Sequence, residues 1–473
     1  MEAVIKEKRE EPTPKIRNSQ DEPVFETVPK TIVEPIYRVN ERPKTWWETI
    51  LYGWQTTVVD FTPFIWATAL VTVSGAPATW ITPMISACFF AMFIATMIQT
   101  TIGNRLPIVQ GPSAIIVFAM AGVAKTFGFP AMWGAALVGA LIEAFIGTTR
   151  ILGYLRKLLP MYLLGIIVTI IGTIVAGVAI VWVFGKGDIT SIVLGLLTFF
   201  VAMILKFKFG RAFGGFFEKG FVLFSLLIVG VGLGSVTGNM DWSGVAKASW
   251  FGFPQIFPYG GPGFGWTISI GAIIGVFVGY VASIVESIGH YAAISAIAGE
   301  KYVVRHMNRG IMAEGIGCAI TPFFGAIPMT SYSQNIGLIA ATRVASRFVI
   351  QVAAFFLLLY ALCPKLAALL AAIPRGATGG CLILIASLIT AQGINLMVSE
   401  PIDTRRGVII GTTIGLALGL PVYAKYQIAQ WTNSLHPFAK MAVTDSIFIA
   451  LVWGLLVTWV LQGPLGEKKK GNG

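Results

Sequence analysis

The chain has 473 residues, of which 55% are hydrophobic and only 12% charged, with a mean hydropathy of +0.77. A soluble domain of this size cannot hide that much apolar surface, so the composition excludes one and requires a polytopic membrane protein. Cys88, Cys318, Cys363 and Cys381 form no CxxC and no metal-ligand spacing, which leaves no sign of a disulfide framework, a metal site or a cofactor.

Residues 1–44 are mixed in charge, carry prolines and have neither an apolar run nor a signal-peptide core, so they read as a flexible cytoplasmic tail. Trp46 and Trp47 mark a membrane interface. Apolar segments then fall at 53–73, 79–100, 108–124, 131–149, 160–183, 189–205, 219–235, 266–298, 309–324, 330–342, 344–372, 376–396, 407–424 and 444–462. That makes fourteen, the third and tenth short and interrupted.

The first segment opens with Gln55, Thr56 and Thr57, then carries Asp60 and a kinking Pro63. A mid-span carboxylate costs about 2.5 to 3.5 kcal/mol on insertion scales, so Asp60 faces protein or water, as a coupling group or as a buried acceptor. In the third segment Pro107, Gln110, Gly111, Pro112 and Ser113 precede an apolar run. Glu143, late in the fourth beside Thr148 and Arg150, is expected to pair near the cytoplasmic interface. Segments five to seven read as scaffold, and 236–265 as an external interfacial loop.

The eighth segment holds Glu286 and His290, four residues apart and therefore on one helix face. Burial disfavours the charged form of a carboxylic acid and an imidazole alike, which is what a proton-coupling pair needs. A satisfied pair that locks the helix is the alternative. Glu286 also suits the N–H groups of a ligand, with the Gln334 amide completing the contact. Glu314, among small residues of the ninth segment, is expected to tie helices together.

Residues 325–343, GAIPMTSYSQNIGLIAATR, are the stretch around which the rest is arranged. Gly325 and Pro328 break a helix, Thr330, Ser331, Tyr332, Ser333, Gln334 and Asn335 follow as a polar run, and a short helix ends at Thr342 and Arg343. Broken polar backbone at membrane depth is tolerated only where it lines a cavity, and the following half-helix aims its N-terminal amides there. With the third segment it makes a pair of interruptions, the sequence mark of a midplane site between inverted repeats. The later segments return to scaffold, with Gly376, Gly379 and Gly380 suggesting close helix approach.

The net charge of +12 is an orientation signal. With the N-terminus cytoplasmic, 27 of the 34 Lys and Arg fall on the cytoplasmic side, and Lys125, Lys186, Lys247, Lys365, Arg375, Lys425 and Lys440 on the other. Both termini are therefore expected inside and nucleic acid is not a partner.

QNIGLIAATR (334–343) resembles the signature of the nucleobase–ascorbate transporter family, and ESIGHYAAISAI (286–297) and NRGIMAEGIGC (308–318) resemble that family's eighth- and ninth-segment motifs. The resemblance runs from about 50 to 462. It implies an all-α polytopic membrane protein, a 7+7 inverted repeat of fourteen transmembrane segments with short strands in segments 3 and 10. It further implies a core domain (49–150 and 266–373) and a gate domain (151–265 and 374–462), between cytoplasmic tails at 1–48 and 463–473. By motif match Glu286 grips a nucleobase, Gln334 opposes it, Asn335 supports the site, and the backbone at Ser113 and Ala114 contacts the ring, with Gln55 nearby. Thr56, Ser333, Thr342, Arg343 and Glu314 are supporting positions.

Three departures matter. The family's first segment carries Gln-His where Gln55 is followed by Thr56, so a helix-orienting histidine is missing and Asp60 is the candidate for its role; Asp60 also stands with Glu286 and His290 as a proton-coupling group. His290 is as in uracil-type members, whereas Gln334 is as in xanthine and urate transporters, so the two substrate markers disagree. The implied protein is an inner-membrane, proton-coupled nucleobase importer, a homodimer embedded in lipid that moves its core against its gate like an elevator. A sodium-coupled or uncoupled carrier is the first rival. An anion transporter of the same architecture is a second, for which Glu286 has the wrong sign. An enzyme is disfavoured for want of a Ser/His dyad or HExxH.

Overall fold

The first membrane span is broken near its middle. Trp46–Val59 (α1) ends at Asp60, and Pro63–Ser74 (α2) starts three residues on with proline in its first turn, where a missing N–H costs nothing. The structure, a computed structural model, is described for residues 34–149, 151–152, 160–209, 216–259, 265–399 and 401–462.

The chain continues through Ile81–Thr101 (α3), a three-residue strand Gln110–Pro112 (β1), Ala114–Phe127 (α4) and Phe129–Thr148 (α5). Met161–Phe184 (α6), Ile189–Phe207 (α7) and Phe221–Val236 (α8) follow, the last with a π-helical middle at Leu226–Leu233. Ile270–Ile297 (α9), Val304–Ile320 (α10), the strand Met329–Ser331 (β2) and Gln334–Thr342 (α11) come next. Arg347–Ala361 (α12), Pro364–Ala371 (α13), Arg375–Met397 (α14), Thr404–Tyr426 (α15), Pro437–Thr444 (α16) and Ser446–Gln462 (α17) complete it.

Among the described residues eight helical stretches are long and apolar enough to cross a membrane, and up to ten if each bent pair is one span. The bent pairs are α12 with α13, at 79°, and α16 with α17, at 82°. The expected single segment 344–372 is thus two helices, broken before Pro364, whose ring cannot continue a helix.

β1 and β2 pair antiparallel, with Gln110 opposite Ser331, Gly111 opposite Thr330 and Pro112 opposite Met329. Ser113 N–H donating to Pro328 O at 2.9 Å and Tyr332 N–H to Val109 O at 3.0 Å prolong the ladder at either end. Only glycine fits at 111, since a Cβ there would stand 2.1 Å from the Tyr332 ring.

The helices sort into two sets that pack chiefly within themselves: α1–α5 with α9–α13, and α6–α8 with α14, α15 and α17. Small residues allow the close approaches. A Cβ on Gly380 of α14 would fall 1.8 Å from Gly195 O of α7, as the glycines at the start of segment twelve lead one to expect.

The expected flexible tail needs correction over its last part. Residues 34–41 lie along 343–347, with Ile36 N–H donating to Arg343 O at 2.8 Å, Ala345 N–H to Tyr37 O at 2.9 Å and Arg347 N–H to Val39 O at 3.0 Å. Val39 is buried there. Residues 1–33 and 463–473 lie outside the described residues.

Candidate functional site

The two strands cross between the ends of two half-helices, and the side chains around them form one hydrogen-bonded cluster. Glu314 of α10 is its hub. Its fully buried carboxylate accepts from Ser287 Oγ at 2.7 Å, from Tyr291 OH at 2.8 Å and from Ser331 Oγ at 2.8 Å. Ser331 belongs to β2, so the ninth segment is bonded directly to the broken stretch. Gln110 Nε2 donates to Ser331 Oγ at 2.7 Å from the opposing strand, and Gln99 Nε2 to Tyr291 OH at 2.8 Å. Thr330 Oγ1 lies 2.9 Å from Ser283 Oγ.

His290 Nδ1 lies 2.8 Å from Ser331 O, while its Nε2 is buried without a partner. Glu286, one helical turn earlier, is partly buried and has no hydrogen-bond partner among the described residues, His290 included. Gln334 opens α11, is also partly buried, and likewise leaves its amide unused. Buried polar groups are normally paired, so an acceptor and an amide left free beside the crossing are the groups available to a ligand.

Asn335 Nδ2 donates to Asp60 Oδ2 at 2.8 Å, joining α11 to the break in the first span. Both residues are buried, and Asp60 Oδ1 has no partner. Tyr332 OH, 3.0 Å from Thr62 Oγ1, makes a second tie to the same break. Ser113 is buried and caps α4 through its hydroxyl, which accepts from Ile116 N–H at 3.3 Å, and Ala114 is the first residue of that helix.

A sequence model of a permease family, that of the nucleobase–ascorbate transporters, matches residues 47–426 and so spans every residue of this cluster. The chain belongs to this family. It is similar to the uric acid permease PucK of Bacillus subtilis, 29% identical over 357 residues that cover 73% of this chain and 80% of the relative. The uric acid transporter UacT of Escherichia coli is 29% identical over 348 residues, 71% of this chain and 70% of that one. The xanthine permease XanQ of Escherichia coli is 26% identical over 364 residues, 71% and 75%.

Among solved structures the fold is similar to the transmembrane domain of the cyanobacterial bicarbonate transporter BicA, with TM-score 0.56 at 15% identity over 88% of this chain and 98% of that one. It is also similar to the murine anion transporter Slc26a9, with TM-score 0.60 at 12% identity over 87% and 69%. At such identities the likeness concerns the fold. As a member of a permease family the protein is an integral membrane transporter and not an enzyme.

Several expected family positions lie elsewhere. Thr342 Oγ1 donates to Leu338 O at 2.9 Å within its own helix, and Arg343 is exposed in the left-handed region at the far end of α11, donating to Glu34 O. Its guanidinium holds Glu34 O while its backbone carbonyl accepts from Ile36 and Tyr37 N–H, and the side chain is not bonded to the crossing. Ser333 is exposed and caps nothing. Thr56 Oγ1 bonds back to Tyr52 O at 2.9 Å, and Gln55 is partly buried on α1 without a bond to the crossing.

Glu143 departs furthest from expectation. It is fully buried beside the Cys318 thiol, where pairing near the interface was expected. The cause is the contact of α5 with α10: a Cβ on Gly315 would stand 2.3 Å from Ala144 N, so the turn bearing Glu143 is pressed into the protein. Arg150 lies outside the described residues.

Sequence reasoning missed the hydroxyls that hold Glu314. For Ser287 and Tyr291 the signal was present, because they recur with Ser283, which bonds Thr330, every fourth residue on one face of α9.

Proposed function

We propose that this protein imports a nucleobase of the xanthine and urate class together with a proton, across the plasma (inner) membrane. The observation that carries the reading is the pair of unused polar groups at the strand crossing, the Glu286 carboxylate and the Gln334 amide. A base with ring N–H and carbonyl groups satisfies both at once: N–H donates to Glu286, and Gln334 donates to or accepts from the far edge. Hydrogen bonds to a charged group contribute about 1.5 to 3 kcal/mol each, the scale of specific recognition. The named relatives favour the oxopurines over uracil, in agreement with Gln334 and against the uracil-type marker His290.

Proton coupling rests on Glu286 and His290. A ligand N–H is best accepted by ionised Glu286, and His290, fixed to β2, lies one turn away to share the change. Asp60 is held by Asn335 and supports the break as an acceptor, with a coupling role as its second assignment.

The two helix sets support a core domain (49–150 and 266–373) that slides against a gate domain (151–265 and 374–462) like an elevator. A cavity of about 980 Å³ opens between them, lined by Thr72, Val73 and Lys125 on one side and Val181, Trp182 and Arg375 on the other. Fourteen segments in a 7+7 repeat, both termini cytoplasmic, and a homodimer complete the reading.

The test is uptake of radiolabelled urate, xanthine and uracil into vesicles under an inward proton gradient, a sodium gradient or neither, for wild type and Glu286→Gln. Uptake of an oxopurine that needs the proton gradient and is lost in the variant is the expected result. Dependence on sodium instead would assign the coupling ion anew. Uptake indifferent to the variant would remove Glu286 from the site.

A further inference from the structure

Of the seven Lys and Arg expected on the outer side, five gather around one gap between the two helix sets. The cavity of about 980 Å³ is lined by Lys125 from the last turn of α4, by Lys186 just after α6 and by Arg375 at the start of α14. A second cavity, of about 630 Å³, shares Val73, Lys125 and Ile174 with the first and adds Lys425 and Lys440.

Two acids share this space, and both are committed to helix starts. Asp188 accepts from Thr190 N–H at 3.3 Å and from Ser191 N–H at 3.0 Å at the start of α7. Asp445 Oδ1 accepts from Ile447 N–H at 3.0 Å and from Phe448 N–H at 2.8 Å at the start of α17. Each cavity therefore sets three cations against one acid. None of the five cations forms an ion pair; among the described residues the ion pairs are those of Glu218 with Lys206 and Lys219. Lys440 Nζ donates to Asn433 Oδ1 at 2.9 Å, which is a neutral partner.

The walls between these charges are apolar, with Val73, Ile174, Val178, Val181 and Trp182. Low-dielectric walls focus the field of a one-sign cleft, which raises the on-rate of the opposite ion by roughly 10- to 1000-fold. The gap also lies on a route. Thr72 and Val73, which line it, come after the break at Asp60 in the first span. Before that break the two sets touch. Trp54 and Phe216 have ring centroids 6.5 Å apart, and a Cβ on Gly337 of α11 would stand 2.8 Å from Lys219 Nζ. The sets are thus parted on the cation side of the strand crossing and closed on the other.

We propose that this gap is a reception site for flat organic monoanions, held between Lys125 of one helix set and Lys186 and Arg375 of the other. Trp182 offers the planar ring an aromatic wall, and Lys425 and Lys440 extend the same field. For a carrier of oxopurines the ligand is the base in its ionised form, as urate is at neutral pH. The site gathers that anion before it reaches Glu286 and Gln334. This last step rests on the reading of the protein as a nucleobase carrier; the anion site itself does not.

The first test reads the local field without any transport. Val73→Cys is made in the full-length protein on a Cys363→Ser background, since Cys88, Cys318 and Cys381 are buried. Its rates of reaction with an anionic and a cationic methanethiosulfonate are compared, each normalised to a free thiol. The anionic reagent is expected to react at least about 10-fold faster. That preference should collapse when Lys125→Gln and Arg375→Gln are added, and in 1 M salt, where the Debye length is about 3 Å. Equal rates before those changes overturn the proposal, whatever the protein carries.

The second test is urate uptake into proteoliposomes. In low salt Lys125→Gln is expected to raise KM roughly 10-fold with kcat kept, Lys125→Arg to restore it, and high salt to erase the difference. An unchanged KM in Lys125→Gln overturns the proposal. So does a fall in kcat shared by Lys125→Arg, for Lys125 then serves packing. The reagent preference without urate uptake by wild type condemns the carrier reading and leaves the anion site standing.

Discussion

The two half-helices that meet at the strand crossing have the same plan and different ends. α4 is 14 residues long, and its N-terminus is buried and capped by Ser113. α11 has nine residues, and Ser333 before it is exposed and makes no side-chain cap. Four N–H groups at a helix start lack intrahelical partners, and a capped, buried start has answered its need within the protein. An uncapped start beside an unbonded Glu286 and Gln334 has not. On the proposed reading the comparison separates the two arms of one motif: β1–α4 serves as the wall and β2–α11 as the face offered to the solute.

The sharpest way to break this comparison is to part the strands. Gly111→Ala places a methyl against the Tyr332 ring, and overpacking of that kind costs about 1 to 3 kcal/mol or more. Uptake is expected to vanish and the thermal midpoint to drop, and a variant with wild-type uptake would show that the strands need not touch.

Next in size is Glu286→Gln, which keeps the shape but loses the charged acceptor. Apparent affinity for the base is expected to fall roughly 10- to 100-fold, from the 1.5 to 3 kcal/mol of a charge-assisted bond. Equilibrium binding to purified protein measures this with no gradient involved.

Asn335→Ala tests the tie from α11 to the first span. It strips buried Asp60 of its donor, at a cost of about 1 to 3 kcal/mol. A lower melting temperature is expected, and an Asp60→Asn partner change made on top of it should then cost far less than it does alone.

The smallest effects test the caps themselves. Ser113→Ala loses a helix cap, about 1 kcal/mol, and should lower the melting temperature. Ser333→Ala caps nothing and should leave stability unchanged. Equal losses in the two would erase the distinction between wall and face.

Much of this was legible in the sequence, because membranes restrict what a chain can do. Long apolar runs give the spans, the Lys and Arg give an orientation to test, and prolines and glycines at 107–112 and 325–328 mark the breaks. Glu286, His290, Gln334 and Asn335 stood out as polar groups in lipid-like surroundings, and the structure brings His290 and Asn335 into contact with β2 and the first span. Thr342 and Arg343 belonged to the same motif by sequence, yet a nine-residue helix holds them away from the crossing, with the Thr342 hydroxyl bonded within that helix and Arg343 bonded to residues 34–37.

Tertiary structure alone decided which acids have partners. Glu143, Glu286 and Glu314 look alike as single carboxylates in apolar helices, and nothing local tells them apart. One faces three hydroxyls drawn from two elements, one stands open beside α11, and one is pressed between α5 and α10 beside the Cys318 thiol. Composition and periodicity record what a helix carries along itself, whereas hydrogen-bond donors from residues far apart in sequence arrive only when helices pack. The sequence by itself determined that this chain spans a membrane and breaks twice within it, because exposed backbone cannot be hidden in lipid. Packing determined what each break is for.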